Sequence, residues 1–374
     1  MSIAAPDAAR PPIAAAGNAG SGTFAYCSQQ YRVLFGAGTA ARLGEEAERL
    51  GIKRALVLTT PEQQDLGHRL GAGLGDRLAG LFAGARMHTP VEVTNEALRI
   101  VESRDIDGLV AIGGGSTVGL GKALSLRTGL PHLAVPTTYA GSEMTPILGE
   151  TTNGIKTTQH SQDLVPDAVI YDVDLTVSLP PHVSAASGLN AIAHAVEALY
   201  APDANPLTSL MAEDGTAALA RALPRIVAAP ADAGARRDAL YGAWLCGVCL
   251  GAVGMSLHHK LCHVLGGMFN LPHAETHAIV LPHAAAYNAA AAPEAMTRIA
   301  RALRTDDAPQ GLFDLAQRLA LPRRLADIGM PEDGIARAAE MAVRSPYANP
   351  RPVERVAIQD LIAAAWRGDA PARH

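Results

Sequence analysis

The sequence predicts an α/β domain built on a parallel sheet, followed by an all-α domain. Three observations predict it. Short, continuously apolar runs alternate with helical patterns up to about residue 172. One of those runs, 109–112, opens into three glycines where a helix begins. Beyond residue 180 strand signals stop, and long Ala- and Leu-rich stretches follow one another. A length of 374 residues suits two domains.

Residues 1–22 (MSIAAPDAARPPIAAAGNAGSG) lack apolar periodicity and are expected to form a flexible leader. ALVLTT (55–60), LVAIGGG (109–115), HLAVPTT (132–138) and AVIYD (168–172) read as buried strands. Helical patterns fall near 40–50, 65–80, 94–104 and 116–127. Pro180 and Pro181 mark the boundary between a nucleotide-type domain, 23–179, and a helical substrate domain, 180–374. A ligand is expected in the cleft between them.

A formal net charge of -5 gives no field to draw nucleic acid or an anionic membrane, so neither is expected as a partner. No apolar run has the length of a bilayer span. The N-terminus has no basic segment leading into an apolar one, so export is not expected and the cytoplasm is the default. Four cysteines do not suggest a disulfide framework. Cys246 and Cys249 form a CxxC inside an apolar stretch with no turn before it, so buried structural thiols are expected there.

The run Gly113-Gly114-Gly115-Ser116 leaves a strand and enters a helix. Glycines let the backbone approach an anion, and a helix N-terminus offers N–H groups with positive dipole character. Gly114, Gly115 and Ser116 are therefore candidates for holding a pyrophosphate, although the run is neither GxGxxG nor a P-loop. A second polar loop, 136–143, leaves another strand end. Two such loops at strand C-termini fit the rule for ligand binding in open α/β sheets.

Eight of the 13 histidines lie between His182 and His283. Asn190 and His194, His259 and His263, and His273 and His277 are each spaced i,i+4, so each pair shares one helical face. Three such faces can converge on one pocket, whereas His182 and His283, each after a proline, read as structural. His194, His259 and His273 could offer three imidazoles to a divalent ion. Asn190, the residue on the face of His194, is a poorer donor than a carboxylate. Residue types alone leave both a metal site and a metal-free pocket open.

Segments along nearly the whole chain after the leader resemble the iron-containing alcohol dehydrogenase family: VLFGAGTAARLGE (33–45), GGGST (113–117), PTTYAGSEMT (136–145), DLTVSLP (174–180), SGLNAIAHAVEALY (187–200) and HHKLCHVLGG…LPHAETHAIVLPH (258–283). The resemblance implies a Rossmann-like NAD(P) domain and a helical catalytic domain, an architecture shared with dehydroquinate synthase. Metal-dependent members carry Asp where this chain has Asn190. Gly119 and Thr60 likewise stand where relatives often have Asp, so neither NADH nor NADPH is disfavoured as cofactor.

These departures resemble a branch that reduces the C=C bond of an unsaturated oxo-dicarboxylate, and they imply that no metal is expected. On this resemblance His194, His259, His263 and His273 are the catalytic candidates, while Asn190, Lys260 and His277 are candidates for the substrate. Lys260 reads equally as a solvated helix residue. Thr137, Thr138, Ser142 and Lys156 match family contacts to the cofactor, and a homodimer is expected. A metal-dependent alcohol dehydrogenase, a dehydroquinate synthase-like lyase and a cofactor-binding protein without turnover are the alternatives.

Overall fold

A computed structural model describes residues 31–152 and 155–372; the leader expected at 1–22 lies outside the described residues. The strands are β1 (Arg32–Gly36), β2 (Ala55–Leu58), β3 (Leu78–Phe82), β4 (Gly108–Gly113), β5 (His132–Pro136), β6 (Ile147–Thr152), β7 (Ile155–His160) and β8 (Ala168–Asp172). Six of them form one parallel sheet in the order β1-β8-β5-β4-β2-β3, and β6 and β7 form a separate antiparallel hairpin. Strands β2, β4, β5 and β8 are buried throughout, which is why their sequences are continuously apolar. Between the strands lie α1 (Leu43–Arg49), α2 (Gln64–Gly71), α3 (Val91–Ser103) and α4 (Gly115–Thr128).

One expectation is corrected here. The helical pattern near 65–80 ends at Gly71; a 3-10 segment broken at Gly75 (φ 56°) then leads into β3. The half-buried LAGLF run at the sheet edge carries no alternation to distinguish it from a continuing helix.

From Pro181 the structure is helical: α5 (Pro181–Ala198), α6 (Pro206–Ala228), α7 (Ala233–Ala252), α8 (Leu257–Phe269), α9 (His273–Asn288), α10 (Pro293–Leu303), α11 (Ala308–Arg318), α12 (Gly334–Val343) and α13 (Arg355–Arg367). Pro181 sits in the first turn of α5, where its fixed φ suits the helix and its missing N–H costs nothing. From Ser184 to Ala198 helix α5 is buried on all sides, as an apolar core helix should be. A single core cluster runs from Val169 and Tyr171 of the sheet through α5, α6 and α7, so the sheet and the helical part share a core. Cys246 and Cys249 lie inside it, unbridged. Burial pushes both thiols up, Cys249 to about 12, away from the thiolate that redox chemistry uses. Among the described residues no single helix is long and apolar enough to cross a membrane.

Candidate active site

The strand order reverses between β2 and β4, the position where open α/β sheets bind ligands. The glycine loop leaves β4 there, with Gly114 capping α4. A Cβ on Gly114 would lie 3.0 Å from Thr138, and one on Gly115 would lie 3.7 Å from the Ser142 hydroxyl. The two polar loops are therefore packed face to face, and Gly114, Gly115, Ser116, Thr138 and Ser142 come together. Gln63 donates to the Thr137 hydroxyl at 2.9 Å, and the Thr137 N–H donates to Gly113. Thr137 thus also holds the two loops to each other. Lys122, fully buried on α4, donates to the carbonyls of Ser142, Thr145 and Ile147 at 2.5, 2.6 and 3.0 Å and fixes the second loop. Burial lowers its ammonium to about 7. The side chain of Lys156, on β7, lies outside the described residues.

Gly141 connects this loop to the histidines. Its φ of 78° is one that L side chains rarely adopt, and a Cβ would lie 3.0 Å from Gly247 Cα on α7 and 3.7 Å from His194 Nδ1 on α5. The end of this second loop therefore abuts the first imidazole.

Helices α5, α8 and α9 bring the imidazoles into one cluster. Ring centroids are 5.1 Å apart for His194 and His259, 5.0 Å for His259 and His277, 4.3 Å for His273 and His277 and 6.3 Å for His259 and His263. Asn190, His194, His259 and His277 are buried, whereas His263 and His273 are exposed. Burial, followed by the neighbouring histidines, pushes His194 and His277 well below the usual imidazole range, so both are neutral at pH 7. Lys260 is half-buried, with its ammonium 5.8 Å from the centroid of the Tyr347 ring. His182 is exposed, and His283 is buried outside the cluster's ring contacts, lowered to about 4 by burial.

Two residues that sequence reasoning missed complete the arrangement. Glu197, fully buried on α5, accepts from His259 Nδ1 at 2.6 Å. It also accepts from the backbone N–H groups of Ser256 and His258, at 3.0 and 2.7 Å, capping α8 in place of a side-chain N-cap. Its signal was a carboxylate three residues after His194 in an otherwise apolar helix. The second residue, His258, pairs with His277 at 3.0 Å. Because a carboxylate only accepts, the His259 proton sits on Nδ1, and in the neutral ring Nε2 is a bare acceptor.

The comparisons with known proteins agree with this geometry. Residues 31–173 match the model of the iron-containing alcohol dehydrogenases, and 184–366 match that of the Fe-containing alcohol dehydrogenase family, C-terminal. The chain belongs to the iron-containing alcohol dehydrogenase family. It is 57% identical to a maleylacetate reductase of Burkholderia cepacia, covering 91% of this chain and 97% of the relative. A crystal structure of a maleylacetate reductase from Agrobacterium tumefaciens is 52% identical and superposes with a TM-score of 0.91, covering 93% of this chain and 99% of the other. A putative alcohol dehydrogenase from Ralstonia eutropha gives 56% identity and a TM-score of 0.93, covering 94% and 100%.

Membership corrects the expectation that no metal is needed, since the family is that of the iron-containing alcohol dehydrogenases and a solved relative from Corynebacterium glutamicum, 43% identical, is named as one. The residues present fit a divalent ion. Asn190 Oδ1, His194 Nδ1 and His259 Nε2 are buried without hydrogen-bond partners. Glu197 fixes His259 in the tautomer a metal-ligating imidazole takes. The expectation failed because it stopped at the neutral side chain of Asn190. The negative charge is present one residue further out, on Glu197.

Proposed function

We propose that this enzyme is an NAD(P)H-dependent oxidoreductase that reduces the C=C bond of maleylacetate to give 3-oxoadipate, a step in the breakdown of aromatic compounds. The observation that carries this reading is the match to maleylacetate reductases over 97% of their length at 57% identity. It works in the cytoplasm as a homodimer and takes NADH or NADPH, with chlorinated maleylacetates as further substrates.

The N-terminus of α4 and the glycine loop bind the pyrophosphate, and the loop fixed by Lys122 leads the nicotinamide toward His194. When bound, the nicotinamide would supply hydride to the alkene carbon β to the ketone, leaving charge to gather on the ketone oxygen. When bound, a divalent metal held by Asn190, His194, His259 and His273 supplies Lewis acidity to that oxygen. Asn190 is buried with His194, His259 and His277 and presents an uncharged amide to a dianionic substrate, which a carboxylate at position 190 would repel. His263 is exposed, with its ring 6.3 Å from that of His259, so the proton for the α carbon arrives from its side.

The test follows NADH oxidation with maleylacetate, with His259→Ala as control. Maleylacetate-dependent oxidation that drops in the variant supports the reading. A lyase of the dehydroquinate synthase kind would consume no net NADH.

A further inference from the structure

Arg236, on α7, is fully buried and takes part in no step described above. Its guanidinium makes five hydrogen bonds, as many as it has N–H groups. Nε donates to the Pro230 carbonyl at 2.9 Å, and Nη1 to the hydroxyls of Ser184 and Tyr139 at 2.7 and 3.4 Å. Nη2 donates to the carbonyls of Leu179 and Val177 at 2.9 and 3.5 Å. Every one of these acceptors is a neutral oxygen. A cation buried without an anion is unfavourable, and a packed apolar side chain would fill the same space at less cost. An apolar side chain cannot, however, hold separate segments together by directed bonds. The acceptors belong to three segments: the turn before α7, the stretch from β8 into α5, and the second loop, which carries Tyr139.

Two of these segments reach the active site from opposite sides. Tyr139 lies two residues before Gly141, which abuts His194. Ser184 lies in the first turn of α5, the helix that carries Asn190 and His194. Tyr139 and Ser184 are both buried, so the bridge between them is closed to water. Helix α7 meets the same loop again at Gly247, about three turns beyond Arg236 and therefore on the same face. A Cβ on Gly247 would lie 3.0 Å from Gly141 Cα. Helix α7 thus runs as a splint along the second loop, and Arg236 ties that splint to the start of α5.

We propose that Arg236 is a positioning residue for hydride transfer. By holding Tyr139 and Ser184 at once, it fixes the second loop, and the nicotinamide carried on it, relative to Asn190 and His194 on α5. The inference rests on the reading of the enzyme as a nicotinamide-dependent reductase. The rival is a guanidinium that only stabilises the junction of the sheet and the helices. The two differ in what they do to turnover, because a displacement of about 1 Å in a reacting geometry can cost about 100-fold in rate.

The test compares full-length, metal-loaded wild-type enzyme with Tyr139→Phe, Ser184→Ala, their double variant and Arg236→Met. Each of the first two cuts one end of the bridge without touching the charge, so they decide the matter even if Arg236→Met does not fold. Tyr139→Phe and Ser184→Ala should each lower kcat for maleylacetate about tenfold, leaving KM for NADH and for maleylacetate within about twofold. The double variant should fall no further than the worse single one, because both break the same bridge. Amide hydrogen exchange of the ligand-free proteins, followed by mass spectrometry, should show residues 137–145 exchanging faster in Tyr139→Phe than in wild type. An unchanged kcat in both single variants with a lowered Tm leaves Arg236 purely structural and overturns the proposal. Losses that multiply in the double variant, or unchanged exchange at 137–145, overturn it as well. If wild-type enzyme oxidises no NADH with maleylacetate, the substrate reading fails, and the exchange measurement still decides whether Arg236 holds the loop.

Discussion

Replacing Glu197 by Gln removes one charge with almost no change of shape. The carboxylate accepts from His258 N–H through one oxygen, and from Ser256 N–H and His259 Nδ1 through the other. A glutamine has a single acceptor oxygen. Whichever way its amide turns, an NH2 group faces one of those donors. Losing a charge-assisted hydrogen bond costs about 1.5–3 kcal/mol, and the donor left facing the NH2 group adds about 1–3 kcal/mol. The variant should therefore lose about 4 kcal/mol of stability, measured by urea unfolding.

Losing the partner of a metal-type histidine typically costs about 10–100-fold in metal affinity or activity. The assay compares kcat/KM for maleylacetate, metal content and NADH binding by fluorescence. kcat/KM and metal retention should fall together, while NADH binding holds, because the cofactor loops lie on the sheet side. A kcat/KM within twofold of wild type would refute the argument that Glu197 sets the tautomer of His259.

Asn190→Asp should tighten divalent-metal binding, read by competition with a chelator, and raise KM for the dianionic substrate. If neither moves, position 190 does not face the site. Gly141→Ala should destabilise the chain by more than about 1 kcal/mol, because a Cβ meets Gly247 Cα at 3.0 Å and φ is 78°; activity should fall with it, and a fully active variant of normal Tm would contradict the packing described. Burial holds His132 at about 3 and His283 at about 4, with the charge of Lys122 adding to the shift of His132. Both stay neutral in the fold, whereas the unfolded chain protonates them below pH ~6.5. Stability should therefore be full above that pH and fall as pH drops toward 4, by about 1.4 kcal/mol per pH unit for each histidine. Urea midpoints at pH 7.5, 6 and 5 check this, and a flat profile would contradict it.

The central sheet was legible because β2, β4, β5 and β8 are buried on both faces and thus continuously apolar. β1 and β3 lie at its edges, half-buried, and β6 and β7 carry polar residues. Their sequences show neither a run nor an alternation strong enough to read. The histidine pairs were legible because i,i+4 spacing follows from helix geometry alone. Glu197 and His258 were not, because each acts across a tertiary contact: Glu197 on residues about sixty positions ahead, His258 on the neighbouring helix. Local spacing carries no trace of either contact. The metal-free expectation failed for the same reason, since the charge that Asn190 lacks sits on Glu197 and acts through His259 of α8.

The most direct test of the account is the stoichiometry of NADH consumed against maleylacetate supplied to the purified, metal-loaded enzyme, with the product identified. The expected result is one NADH per maleylacetate with 3-oxoadipate as product, and a drop in rate on His259→Ala. Reduction of the ketone instead of the C=C bond, or a rate untouched by His259→Ala, would contradict it.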